Sequence, residues 1–258
     1  MGVPTGFQFL DNILGGLQNS DLIILAARPS VGKTAFALDV ARHAGVYEGK
    51  SVGLFTLEMS APQLMDRLLS MQVGVGLWEL RMGRVSDEVF ARLSDAMGVL
   101  SEAKIYIDDT PAINILEMRA KARKLKMEHS LDLIVVDYLQ LIQGRNKESR
   151  LQEVSEISRF LKSLARELNI PVLALSQLNR AVEQRTDGKP QLSDLRESGS
   201  IEQDADVVIF LSKVGGDDAE KSQNRTISIS KHRNGPTGEA ELFFVKEQAR
   251  FREIDQAH

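Results

Sequence analysis

No cysteine occurs anywhere in the chain, which excludes disulfides, thiolate metal sites and cysteine nucleophiles. Histidine is nearly as scarce: His43, His129, His232 and His258 stand far apart, without the spacing of a metal-ligand set. No apolar run approaches the ~20 residues that span a bilayer, and no basic segment followed by an apolar core opens the chain. These absences predict a cytoplasmic protein with no membrane partner. Positive charge is not in excess: 32 Lys and Arg against 36 Asp and Glu leave a net charge of -4. Bulk electrostatics therefore gives no support to nucleic-acid binding. Any DNA contact must come from a local surface. What remains for catalysis is carboxylates, Lys, Arg and a divalent ion.

What is present begins with an apolar run, Leu22, Ile23, Ile24 and Leu25, of the kind buried on both faces of a parallel sheet. A polar turn follows through Arg28, Pro29, Ser30, Val31 and Gly32, and a helical pattern starts at Lys33 and Thr34. This order of strand, loop and helix start aims backbone N–H groups and the positive end of a helix dipole at one spot. There Lys33 can reach the β and γ phosphates of a nucleoside triphosphate and the Thr34 hydroxyl can hold Mg²⁺. The pattern is G-x-x-x-x-G-K-[ST] with Ala27 in place of the first glycine. The competing reading, an ordinary turn with an exposed lysine, is disfavoured by the order of the elements.

Four further apolar runs, at 52–57, 131–137, 172–176 and 207–211, read as buried strands, with a short strand at 105–107. Helical periodicity connects them, most clearly at Leu151, Val154, Ile157, Phe160, Leu161, Leu164 and Leu168 before Pro171. Residues 226–230 and 241–245 flank Asn234, Gly235, Pro236, Thr237 and Gly238, which predicts an antiparallel hairpin. The fold class is therefore α/β: a mostly parallel central sheet flanked by helices, with a C-terminal β-hairpin. No repeat or linker separates two cores, so a single domain over 1–258 is expected. Residues 1–20 read as a short helix or turn at the domain edge, or as a docking arm. The basic helix around Arg119, Lys121, Arg123, Lys124 and Lys126 reads as a solvated face or a nucleic-acid stripe, the former favoured. Residues 179–199 read as a long, mobile loop, and the polar run 215–224 as disorder.

In an open α/β sheet, sites form where the carboxyl ends of the strands run out. The second strand ends at Glu58, the third at Asp137 and the fourth at Ser176 and Gln177. Asp137 suits a hard cation beside phosphates, Glu58 can activate a water, and Gln177 can report a γ-phosphate. Singly, each is as well explained as a cap or a solvated strand end; together they favour a hydrolytic site. Lys231, His232 and Arg233 lie on the hairpin. They either protect an edge strand by charge or supply a cation to a neighbouring subunit's phosphates.

Beyond these readings, the chain resembles the C-terminal ATPase domain of the DnaB-type replicative DNA helicases almost end to end. The resemblance rests on Gly2-Val3-Pro4-Thr5-Gly6, the 27–34 loop, Leu57-Glu58-Met59-Ser60, Val136-Asp137-Tyr138-Leu139-Gln140, Leu175-Ser176-Gln177-Leu178, the 196–206 segment and Arg233-Asn234-Gly235-Pro236. An Ala-Arg-Pro-Ser loop is this family's own form of the phosphate loop. The resemblance implies a RecA-like P-loop NTPase, ATP and Mg²⁺ as cofactors, and a homo-hexameric ring with ATP between subunits. It implies that Lys33 and Thr34 hold phosphates and metal, that Asp137 supports the metal, that Glu58 activates water and that Gln177 senses the γ-phosphate. Lys231 and Arg233 would reach the neighbour's site, and Arg196, Glu197 and Gly199 would face single-stranded DNA in the central channel. Primase and a helicase loader are partners implied for a longer protein, because the family's N-terminal collar domain and linker helix are absent from this sequence. The alternatives are a RecA-like recombinase, a clock-type ATPase, or a module that binds nucleotide only to hold a ring.

Overall fold

Every residue of β1 (Leu22–Ala27) is buried, as a parallel strand covered on both faces requires. A computed structural model describes residues 1–144, 149–180, 182, 185, 188–214 and 223–254, the side chains of 196–198 excepted. Ahead of β1, α1 (Gln8–Leu14) packs Leu10 and Leu14 into the core, and Phe7 stacks on Phe36 at 4.5 Å between ring centroids. An antiparallel bridge between Val3 and Leu17 closes this segment on itself, and Val3, Phe7, Leu10, Leu14 and Leu17 join the core, as a short helix at the domain edge requires.

After β1 come α2 (Lys33–Arg42) and β2 (Val52–Thr56), then α3 (Ala61–Val73), α4 (Leu77–Arg81) and α5 (Asp87–Glu102). Pro62 occupies the first turn of α3, where its missing N–H costs nothing, and the Ser86 side chain accepts from the Val89 N–H to cap α5. The chain continues through β3 (Ile105–Asp108), α6 (Ile115–His129), β4 (Leu133–Asp137), α7 (Arg150–Leu168) and β5 (Val172–Gln177). It ends with α8 (Gly199–Asp204), β6 (Val207–Lys213), β7 (Asn224–His232), β8 (Gly238–Val245) and β9 (Arg250–Glu253).

Among the described residues, nine strands form one sheet in the order β3-β2-β4-β5-β1-β6-β7-β8-β9. The first six run parallel and the last three antiparallel, with Leu25 facing both Leu175 and Ile209 in register. Strand alternation divides the core. Ile23, Leu25 and Ala27 join Phe36 and Leu38 on one face, whereas Leu22, Ile24 and Ala26 join Ile157, Leu161 and Leu164 on the other. The basic helix α6 uses its charge within the chain: Arg119 and Arg123 both pair with Glu167, and Lys121 pairs with Asp108 at 2.8 Å.

One expectation needs correction. The segment 179–199 is not an open loop throughout, since residues 192–198 form 3₁₀ turns that bury Leu195 and Asp194. Arg185 pairs with Asp194 at 2.5 Å. Polar composition concealed this because the buried carboxylate is matched by its own guanidinium. Most of the run 215–224 lies outside the described residues.

Candidate active site

The sheet order, and not the sequence, makes neighbours of the polar strand ends. Strands β2, β4, β5 and β1 are adjacent and parallel, so Glu58, Asp137, Gln177 and the phosphate loop emerge at one edge. At the phosphate loop lies a cavity of 560 Å³, lined by Lys33, Thr34, Glu58, Arg67 and Gln177 together with Phe244, Lys246 and Ala249.

The loop itself is held from two directions. Gly32 has φ 114°, and a side chain there would put its Cβ 2.8 Å from the Phe251 ring, so only glycine fits. Val31 is buried, and its carbonyl oxygen accepts from the Nε of the buried Arg225 at 3.1 Å. The Arg28 guanidinium donates to the Leu178 carbonyl at 2.7 Å, so among its side-chain contacts is a strut to the segment after β5. Pro29 and Ser30 are exposed at the tip, where Ser30 adopts φ 64°.

Thr34 Oγ1 donates to Asp137 Oδ2 at 2.7 Å, joining the first turn of α2 to the end of β4. The second carboxylate oxygen, Oδ1, is buried without a hydrogen-bond partner. Burial pushes the Asp137 carboxyl above its ordinary range and Glu58 adds to that, while the Thr34 hydroxyl, Lys33 and Arg67 pull it back. Burial likewise lowers the Lys33 ammonium, against the opposing pull of Asp137 and Glu58. The Lys33 Nζ sits 4.6 Å from the centre of the Tyr138 ring. A desolvated cation, an orphaned carboxylate oxygen and a hydroxyl on one wall suit a metal–triphosphate complex. No group of three metal-binding side chains occurs among the described residues.

Glu58 and Gln177 line the cavity and are exposed to solvent. Gln140 ties this wall together, its Nε2 donating to Ser176 Oγ at 2.9 Å and to the Gln177 carbonyl at 3.3 Å. Sequence reasoning missed Arg67, whose guanidinium interacts electrostatically with Asp137 and Glu58 and is lowered by burial. It also missed Lys246 and Arg225. An arginine inside an amphipathic helix, or within a strand, carries no local signal of what it faces.

Lys231 and Arg233 are not brought to this cavity. His232 pairs with Val207, which lies beside Ile23 at the amino end of β1. That is roughly 16 Å of strand away from the phosphate loop. Gly199 opens α8 at the surface, and the side chains of Arg196 and Glu197 lie outside the described residues.

A parallel sheet with a phosphate loop after β1, carboxylates ending two adjacent strands and an antiparallel C-terminal extension defines a P-loop nucleotide-binding protein with a RecA-like fold. The likeness to the RadB recombinase, TM-score 0.61 at 20% identity over 98% of this chain and all of that one, concerns the fold alone. The chain belongs to the DnaB-like helicase C terminal domain family, whose model matches residues 2–253. It is 54% identical to the replicative DNA helicase DnaB of Geobacillus stearothermophilus, over 99% of this chain and 57% of that protein. Identity is 53%, with the same coverage, to the replicative DNA helicase DnaC of Bacillus subtilis. The chain thus spans little more than half the length of these relatives. Among solved structures, a DnaB-like replicative helicase described with its primase interactions superposes with TM-score 0.93 at 38% identity, over 99% of this chain and 62% of that one. Among the described residues, no helix is long and apolar enough to cross a membrane.

Proposed function

We propose that this chain is the ATP-hydrolysing motor domain of a replicative DNA helicase, working as a homo-hexameric ring on single-stranded DNA. The observation that carries the reading is the Thr34–Asp137 contact, which joins the phosphate loop to a buried strand-end carboxylate. Glu58 and Arg67 line the same cavity. Lys33 and the loop N–H groups bind the phosphates, and Thr34 with Asp137 would hold Mg²⁺. When bound, that ion neutralises charge on the β and γ oxygens. Glu58 orients a water and takes its proton, and Gln177 hydrogen-bonds the γ-phosphate.

Lys231 and Arg233, remote from their own phosphate loop, serve the adjoining subunit's nucleotide in this reading. A cation at the γ-phosphate can contribute on the order of 10³ to 10⁵ in rate. The segment of Arg196, Glu197 and Gly199 faces DNA, and a few contacts per subunit, multiplied around a ring, account for binding by an acidic chain. Primase and a helicase loader are the further partners of this reading, for a full-length protein of this family.

The test is Glu58→Gln. The variant should bind ATP with near-normal affinity yet lose hydrolysis and strand displacement. Normal turnover would remove Glu58 from the mechanism, and an unaltered chain that hydrolyses ATP without displacing a strand would favour a ring-holding module.

A further inference from the structure

Lys231 and Arg233 are held by their own chain before any neighbour arrives. Arg233 donates from Nη2 to the Gln203 carbonyl and from its backbone N–H to the Asp206 carbonyl at 2.9 Å. Its Nη1 lies 3.6 Å from Asp206 Oδ1. Lys231 Nζ donates to the Glu202 carbonyl at 2.5 Å. Both side-chain-bonded carbonyls belong to the last turn of α8, where carbonyl groups lack intrahelical partners and the helix dipole favours cations.

Asp206, just past that helix, is itself tied down on its other oxygen. Oδ2 accepts from the Leu22 N–H at 2.8 Å and from Lys162 Nζ at 2.5 Å, which anchors it to β1 and α7. The Asp206 side chain is 7% exposed, whereas that of Arg233 keeps 45% of its surface open. A fixed carboxylate therefore lies beside Nη1 of a guanidinium whose side chain keeps nearly half of its surface open. A long arginine side chain left free would have to be ordered at the moment of reaction. Holding it beforehand removes that cost, and misplacement by about 1 Å can cost roughly a hundredfold in rate.

We propose that Asp206 is a positioning residue that sets Arg233 in the pose needed by the adjoining subunit's triphosphate, with the carbonyl end of α8 as the second support. The inference rests on the reading in which Arg233 acts in trans. It also gives the six-residue helix α8 a part in coupling, because α8 begins at Gly199, in the segment assigned to DNA, and ends at the two cations.

The experiment compares Asp206→Asn, Arg233→Ala, the double variant and mixtures of each single variant with Lys33→Ala subunits. Asparagine keeps an acceptor for the Leu22 N–H but removes the charge facing Arg233. DNA-stimulated kcat should fall roughly ten- to a hundredfold with KM for ATP within about twofold. Single-stranded DNA affinity should stay unchanged. Adding Asp206→Asn to Arg233→Ala should cost nothing more, because the carboxylate acts through the guanidinium. Mixing Asp206→Asn with Lys33→Ala subunits should restore turnover, since the latter lend an undisturbed Arg233, and a subunit that had failed to fold would not respond. Unchanged kcat in Asp206→Asn, an additive double variant, or absence of rescue where Arg233→Ala is rescued would overturn the positioning role. Normal turnover in Arg233→Ala would instead overturn the underlying reading in which Arg233 acts in trans.

Discussion

Arg225, with none of its surface exposed, donates from Nε to the carbonyl oxygen of Val31 across 3.1 Å, so a buried cation braces the phosphate loop from beneath. Burial lowers the Arg225 guanidinium below the usual arginine value. The same side chain lies 5.5 Å from the centre of the Phe244 ring, which also lines the cavity. Loop shape and cavity wall are therefore tied to one residue of β7.

From that brace follows an effect on both stability and binding. Arg225→Met should lower the free energy of unfolding by about 1–3 kcal/mol, the cost of stranding a buried carbonyl. It should also weaken nucleotide binding by loosening Val31 and Gly32. Urea unfolding with and without an ATP analogue measures both. A variant of unchanged stability and affinity would show that the loop needs no support from β7.

Removing the Thr34 hydroxyl tests the metal assignment. Thr34→Val takes away the donor that stabilises the Asp137 carboxylate, so burial should push that carboxyl further up. Mg²⁺ requires the ionised form, and its binding is lost as pH falls through the folded-state pKa. The loss should therefore set in at higher pH in the variant. At neutral pH, Mg²⁺-supported hydrolysis should fall on the order of a hundredfold or more, the equivalent of several kcal/mol of charge stabilisation. Mg²⁺ titrations of ATPase activity across pH decide it, and a profile matching the unaltered chain would exclude Thr34 and Asp137 as the metal pair. Chelating the ion should abolish turnover in both.

The Lys33 ammonium is lowered by burial in the free chain. A bound triphosphate brings negative charge beside it and must raise its pKa. Nucleotide affinity should then be full below the free chain's lowered value and decline as pH rises through it, with proton uptake on binding at alkaline pH. Calorimetry in buffers of different ionisation enthalpy reads that uptake directly. Proton release, or none, would place Lys33 away from the phosphates.

Much of this fold was legible because the parallel strands are apolar on both faces. The runs around Ile23, Leu54, Val135, Leu173 and Ile209 announce themselves, and helix α7 does so through Val154, Ile157, Leu161 and Leu164. Strand β9 was missed, since Arg250, Arg252 and Glu253 around Phe251 give no apolar run and only antiparallel pairing with β8 orders them. The structure of 192–198 was missed because Arg185 and Asp194 neutralise each other out of sight.

By itself the sequence determined which chemistry is available: an anion-cradling loop needs contiguous residues, so Gly32, Lys33 and Thr34 could be read in one line, as could a carboxylate closing an apolar strand. Which of those groups meet was decided by the tertiary structure alone. The order β2-β4-β5-β1 places Glu58, Asp137 and Gln177 around the loop, brings in Arg67 and Lys246 unannounced, and sends Arg233 to the opposite edge. The physical reason is that burial favours a strand for being apolar but not for its neighbour. Pairing depends on side chains a hundred residues apart fitting one sheet.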